Sequence, residues 1–313
     1  MKYNYAKNKY NIDGCICNSK ISKNELIMEF KIDDCIINDF DKNFNNHFLL
    51  AVKLYINRDN ILFVKYINEV NNIVIEDSLL FMSDYYLNKI KNYFIYFMIN
   101  SERNKFENEF LSYCNTYHNI KIDKELFKKF YIYCISYAYT YKDSDGKDYS
   151  IICPPRIFNF KISNKLPILK HQIKDNIWRI FADKDYNVGE EMFECYYTMN
   201  SNTHPLLKFI TLNDWKLRGY INYCDMIEFN KNDEFDSKMK ISKKLTVEDI
   251  NNINKIYNID YNELKQDLKK KSNHREYQIL KLKIYEYKLI NDAIKQNYID
   301  YIKIENENKI LFN

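Results

Sequence analysis

The sequence predicts an α+β protein: an N-terminal antiparallel sheet backed by helices (1–142), an irregular central region holding a candidate site (143–240), and a helical C-terminal part with a terminal hairpin (241–313). Three observations carry this expectation. Short runs rich in Ile, Val, Leu, Phe and Tyr crowd residues 25–76, as strands do. Apolar residues at helical spacing follow them. Residues that bend or break regular backbone then gather in 143–224, with all four prolines (Pro154, Pro155, Pro167, Pro205) and three of the four glycines (Gly146, Gly189, Gly219). Proline fixes φ and glycine permits positive φ, so irregular backbone concentrates there. Binding groups favour such segments, although the same stretch also reads as a core segment joining two regular halves.

In chain order, ELIMEFKIDDCII, HFLLAVKLYIN, ILFVKYINEV and NIVIED read as three or four antiparallel strands, with NRDN and EVNN supplying turns. Such a sheet needs cover on one face. Ser83 is placed to cap a helix bearing Leu87, Ile90, Phe94, Phe97 and Met98, and Phe106, Phe110 and Cys114 continue on a second. Asp123 caps a third, with Leu126, Phe127, Phe130, Cys134 and Ala138 as its stripe. The tyrosines of FYIYCISYAYTY read as core filler with hydroxyls reaching an edge, in preference to a base-stacking platform.

Beyond the central stretch, KNDEFDSKMKISKK (231–244) is charged and poor in large apolar residues, and reads as a linker. Thr246 with Asp249, and Asp260 with Glu263, resemble capping boxes. A longer helix over 274–297 carries Tyr277, Leu280, Ile284, Tyr287, Asn291 and Ile294 on one side, and a hairpin turning at 305–308 closes the chain.

With 313 residues, 46% of them hydrophobic, the chain can bury a sizeable core. Asn, Ile, Lys and Tyr are heavily used, and only six of the 47 basic residues are arginine. That skew follows AT-rich codons, so lysine abundance carries little functional weight. A net charge of +4 is mild for this length and falls short of a dedicated duplex-DNA binder. The N-terminal MKYNYAKNKYNIDG has no apolar signal region, and FIYFMI (94–99) is too short to span a bilayer. A cytoplasmic protein without a membrane span is expected, its eight scattered cysteines being buried free thiols.

Four separated glycines cannot build a Gly-rich phosphate loop or a dinucleotide fingerprint, so no cofactor is expected from that route. Cys15-x-Cys17 lacks zinc-ligand spacing, and Asp143–Asp148 fails the register of a calcium loop, so no metal site is expected. Asp183 and Asp185 read as a polar loop, and Glu190 and Glu191 as a solvated helix start. His204, between Thr203 and Pro205, has the setting of a helix entrance, where exposed amides hold anions. Together with Arg156, His171 and Arg218 it supplies the residue types for a metal-free phosphodiester site: histidine to move protons, arginine to stabilise phosphate charge. Arg179 is a further arginine of the segment. WKLRGYINY (215–223) invites comparison with tyrosine-nucleophile DNA enzymes, but 29 tyrosines supply any spacing, and no family is assigned.

The absence of a cofactor loop favours a non-enzymatic accessory or structural protein of an AT-rich large DNA virus or cytoplasmic element, with a protein partner. Two alternatives stay open. One is a metal-independent nuclease or other phosphodiester enzyme using the four named residues. The other is a single-strand nucleic-acid binder.

Overall fold

The computed structural model describes residues 2–7, 13–91, 94–142, 146–152, 158–160 and 169–194, with seven isolated helical residues between Gln266 and Asn291. Among them lie five α-helices and three small sheets, the mixed α+β class expected. The chain divides into two compact units: Met1–Met82, Glu102–Ser201 and Phe209–Asn222 in one, Ser83–Ser101, Asn202–Lys208 and Tyr223–Asn313 in the other.

Ten strands make the sheets: β1 (Tyr3–Lys7), β2 (Asp13–Cys17), β3 (Leu26–Lys31), β4 (Ile36–Ile37), β5 (Tyr139–Lys142), β6 (Asp148–Ile152), β7 (Asn159–Phe160), β8 (Lys170–Lys174), β9 (Ile177–Phe181) and β10 (Glu191–Glu194). One sheet runs β1-β2-β10-β7, a second β3-β9-β8, a third β4-β6-β5. All pairings are antiparallel except β7 with β10. The N-terminal sheet is therefore present, but its strands pair with partners from the far end of the unit. A predicted meander of sequence neighbours is replaced by long-range pairing.

Residues 46–77 correct the strand reading. They form α1 (Asn46–Ile56), a single turn at Ile61–Phe63, α2 (Val64–Asn71) and a further turn at Ile75–Asp77. The physical reason lies in burial: Phe48 to Val52, Leu54 and Tyr55 are all buried, so α1 is apolar almost all round and shows no helical stripe. A short apolar run of this kind does not distinguish a strand from a buried helix. The local signal is the cap, since Asn45 Oδ1 accepts from His47 N at 2.8 Å.

The following helices are α3 (Asp84–Asn88), α4 (Phe94–Thr116) and α5 (Lys124–Tyr137). The two helices expected over Leu87–Met98 and Phe106–Cys114 divide differently: α3 ends at Asn88, and Phe94 to Cys114 lie on one helix, α4. Asp123 caps α5 as expected, Oδ1 accepting from Leu126 N at 3.1 Å, and Phe127, Phe130 and Cys134 are buried.

Two cores result within the first unit. The helical one packs aromatic rings edge to face or tilted, with Phe48 and Phe127 centroids 5.1 Å apart and Tyr55 and Phe130 5.3 Å apart. Tyrosine behaves here as amphipathic filler: buried Tyr55 sends its hydroxyl to accept from Asp123 N at 2.9 Å. The second core lies among the sheets, around Met28, Leu169, Trp178, Ile180 and Met192.

The predicted 231–244 linker, the two capping boxes and the terminal hairpin lie outside the described residues. Of the predicted 274–297 helix, Glu276, Ile279, Leu280, Lys283 and Asn291 are described and helical, and Ile279 is buried. No helix among the described residues is long and apolar enough to cross a membrane.

Candidate functional site

The β8–β9 hairpin turns on Asp175 and Asn176, both at positive φ (54° and 59°). A two-residue loop with both central residues left-handed is the type I′ geometry, whose twist matches the flanking strands. It fixes the register His171↔Ile180 and Ile173↔Trp178, which makes His171 and Trp178 diagonal neighbours on one face. The Trp178 indole Nε1 donates to His171 Nδ1 at 3.1 Å.

The other ring nitrogen, Nε2, lies 2.6 Å from Glu194 Oε2. An indole N–H can only donate, so Nδ1 must accept, and the ring proton sits on Nε2, pointed at the carboxylate. Glu194 is an inward-facing residue of β10, and its side chain is 1% exposed. Burying a carboxylate is costly unless hydrogen bonds compensate, and the His171 contact supplies one of them. Tyr139 of β5 completes the cluster, its ring 5.0 Å from Trp178 and 5.5 Å from His171. Each of the three sheets thus contributes to one polar junction.

Around it the surroundings are apolar or already paired. Tyr186 donates to Asp183 Oδ1 at 2.6 Å, and burial, then that carboxylate, pushes its hydroxyl well above the usual tyrosine range. Cys15 and Cys17 face the core from β2; burial, reinforced by neighbouring acids and thiols, pushes both thiols up, so they are poor nucleophiles. No group of three or more His, Cys, Asp or Glu among the described residues is placed to hold a metal ion.

Of the four predicted site residues, only His171 is described; Arg156, His204 and Arg218 lie outside the described residues. His171 spends both ring nitrogens inside the junction. Arg179 is not free for a phosphate, because its Nε lies 2.7 Å from Glu29 across the β3–β9 register. Asp183 and Asp185 do lie in a loop, where Asp185 Oδ1 accepts from Lys23 N at 2.7 Å. The Glu190–Glu191 helix start is corrected: Gly189 at φ 84° turns the chain, and Glu191 opens β10. Gly146 sits at φ 80° between β5 and β6, and Asp143–Asp145 lie outside the described residues. Glu194, Trp178 and Tyr139 were not foreseen as site residues. The hairpin signature was available for Trp178; nothing local marks Glu194.

No protein-family model matches the chain, and no curated protein matches it. Solved structures do match. The fold is similar to the SET domain of LSMT bound to lysine and AdoHcy, with a TM-score of 0.53 and 12% identity over 67% of this chain and 52% of that one. It is also similar to the same SET domain bound to methyl-lysine and AdoHcy, with a TM-score of 0.50 and 14% identity over 68% and 52%. The match spans about half the length of those solved chains.

This likeness corrects the expectation of a non-enzymatic accessory protein, and with it the nuclease and single-strand-binding alternatives. The fold resembles that of a domain solved with AdoHcy. Four separated glycines bear on Gly-rich phosphate loops and say nothing about cofactor sites of other construction.

Proposed function

We propose that this chain is a lysine N-methyltransferase that takes its methyl group from AdoMet. The observation that supports the reading is the likeness of the fold to a SET domain solved with lysine and AdoHcy. AdoHcy is what AdoMet leaves after donating its methyl group, so that ligand pair is the acceptor side chain and the spent donor of one reaction. In such a transfer the lysine ammonium would first lose a proton to water, and the freed amine lone pair would bond to the methyl carbon of bound AdoMet. The carbon–sulfur pair would return to sulfur, leaving AdoHcy and a methylammonium.

The described residues fit cationic partners. Both the sulfonium and the lysine side chain are cations before reaction, and the junction offers a buried carboxylate, Glu194, beside the rings of Tyr139 and Trp178. Glu194, Tyr139 and Trp178 are therefore the groups assigned to the cationic partner.

Titration calorimetry with AdoMet and AdoHcy tests the first half, and transfer of a radiolabelled methyl group to a lysine-rich protein mixture, with the product located by mass spectrometry, tests the second. Saturable binding and label on lysine nitrogen are expected. Absence of binding to both ligands by the folded chain sinks the reading.

A further inference from the structure

We infer that His171 is a positioning residue whose single proton, fixed in place by Trp178, holds Glu194 as an oriented hydrogen-bond acceptor at the three-sheet junction. The inference rests on the proposed methyl transfer for its consequence, but not for its structural content.

The direction of the chain of bonds is set at its far end. Trp178 Nε1 has a proton and no lone pair to offer, so its 3.1 Å contact forces His171 Nδ1 to accept. Nε2 must then carry the ring proton, and its 2.6 Å contact forces the facing Glu194 oxygen to accept. With Nδ1–H instead, two donors would face each other at one end and two acceptors at the other. The tryptophan therefore acts at a distance on Glu194, through the choice of tautomer.

The surroundings reinforce this polarity. Glu194 comes from β10, Trp178 from β9, His171 from β8 and Tyr139 from β5, and Phe30 of β3 packs against the indole at 6.5 Å. Among the charged and titratable neighbours, Tyr186 keeps its proton for Asp183, and Lys170 lies over the Phe181 ring. Aromatic packing on the indole restricts its tilt, and the type I′ turn fixes its register with His171. A general core role does not require this ordering. What it achieves is a carboxylate whose orientation is defined where a cationic substrate or cofactor is proposed to sit.

The test begins with the wild-type protein labelled with ¹⁵N-histidine. The expected ring ¹⁵N signature for His171 at neutral pH is the Nε2–H tautomer with Nδ1 as acceptor; the Nδ1–H tautomer or an imidazolium overturns the inference. Trp178→Phe keeps a ring but deletes the donor, and is expected to broaden His171 into a mixture of tautomers. A retained pure Nε2–H signal would show that Trp178 does not set it. For the functional consequence, His171→Leu is expected to raise the Kd for AdoMet or the KM for the lysine substrate by about tenfold or more. His171→Gln, whose side-chain amide can donate to Glu194, is expected to recover most of that loss. Equal loss in both variants, with folding intact by circular dichroism, overturns the positioning role. Absence of AdoMet binding in the wild type alongside the expected tautomer would sink the methyltransferase reading alone.

Discussion

The two cores of the first unit solve the same burial problem with different chemistry. The helical core is a pack of rings, Phe48, Phe106, Phe127, Phe130, Tyr55 and Tyr133, whose polar atoms leave for the edge. The sheet core instead seats a carboxylate that is 1% exposed and arranges an imidazole and an indole to support it. A buried ionisable group is weak evidence for stability, because apolar residues of similar volume commonly do as well or better. On the proposed function, the helical core is the part that stabilises, and the junction is the part kept for binding.

The largest expected effect breaks the helical side of that comparison. Phe127 is fully buried, packing edge to face with Phe48, stacked with Phe106 and tilted against Phe110. Phe127→Ala should cost about 3–5 kcal/mol by urea denaturation, since the cavity has rings on every side and collapses poorly. A loss below about 1 kcal/mol would mean that this core is loosely packed.

At the junction the comparison predicts an asymmetry. His171→Leu alone deletes the hydrogen bond that the Glu194 carboxylate accepts from Nε2 and should cost about 2–3 kcal/mol. His171→Leu with Glu194→Leu removes both partners, and should regain most or all of that stability while AdoMet binding is lost. Equilibrium unfolding paired with calorimetry separates the two readouts. A double variant as unstable as the single one would show that the pair stabilises the fold, and would erase the distinction between the cores.

A smaller effect appears with pH at the start of α1. Burial holds His47 below its ordinary value of 6.5, so the unfolded chain takes up a proton there before the folded one does. Its contribution is complete above pH 6.5 and is lost as pH falls through the lower folded value. Glu109, raised by burial from 4.5 and only partly offset by the Asn45 amide, has the opposite sign. Its contribution is present below pH 4.5 and lost as pH rises through the raised folded value. His47→Gln should therefore flatten the fall in melting temperature just below pH 6.5. An unchanged slope would place the responsible proton elsewhere.

How much of this was legible follows from where each determinant lies. Asp123 and the stripe behind it are local, and both reading and structure agree on α5. Residues 46–56 were misread because burial on all sides erases the helical period; the Asn45 cap was the remaining local clue. Asp175-Asn176 between two alternating runs is a hairpin signature, and it brings His171 to Trp178. Glu194 reaches His171 only because β10 pairs with β2 from the other end of the unit, a pairing no local pattern encodes. The methyltransferase reading was hidden for a related reason: a site assembled from three small sheets leaves no contiguous glycine signature.

The smallest expected effect sharpens the junction's geometry. Asn176 sits at φ 59°, a conformation that Asn tolerates and glycine adopts freely. Asn176→Gly relieves the residual left-handed strain but adds backbone entropy to the unfolded chain, so the net change should stay within about 0.5 kcal/mol. Asn176→Val, β-branched at the same φ, should lose about 1 kcal/mol or more and loosen the turn that sets the His171–Trp178 diagonal. Because Trp178 orders His171 through that diagonal, the valine variant should also blur the His171 tautomer, whereas the glycine variant should leave it intact. If both variants shift stability alike and neither moves the ring ¹⁵N signal, the register is held by the β3–β9 pairing and not by the turn.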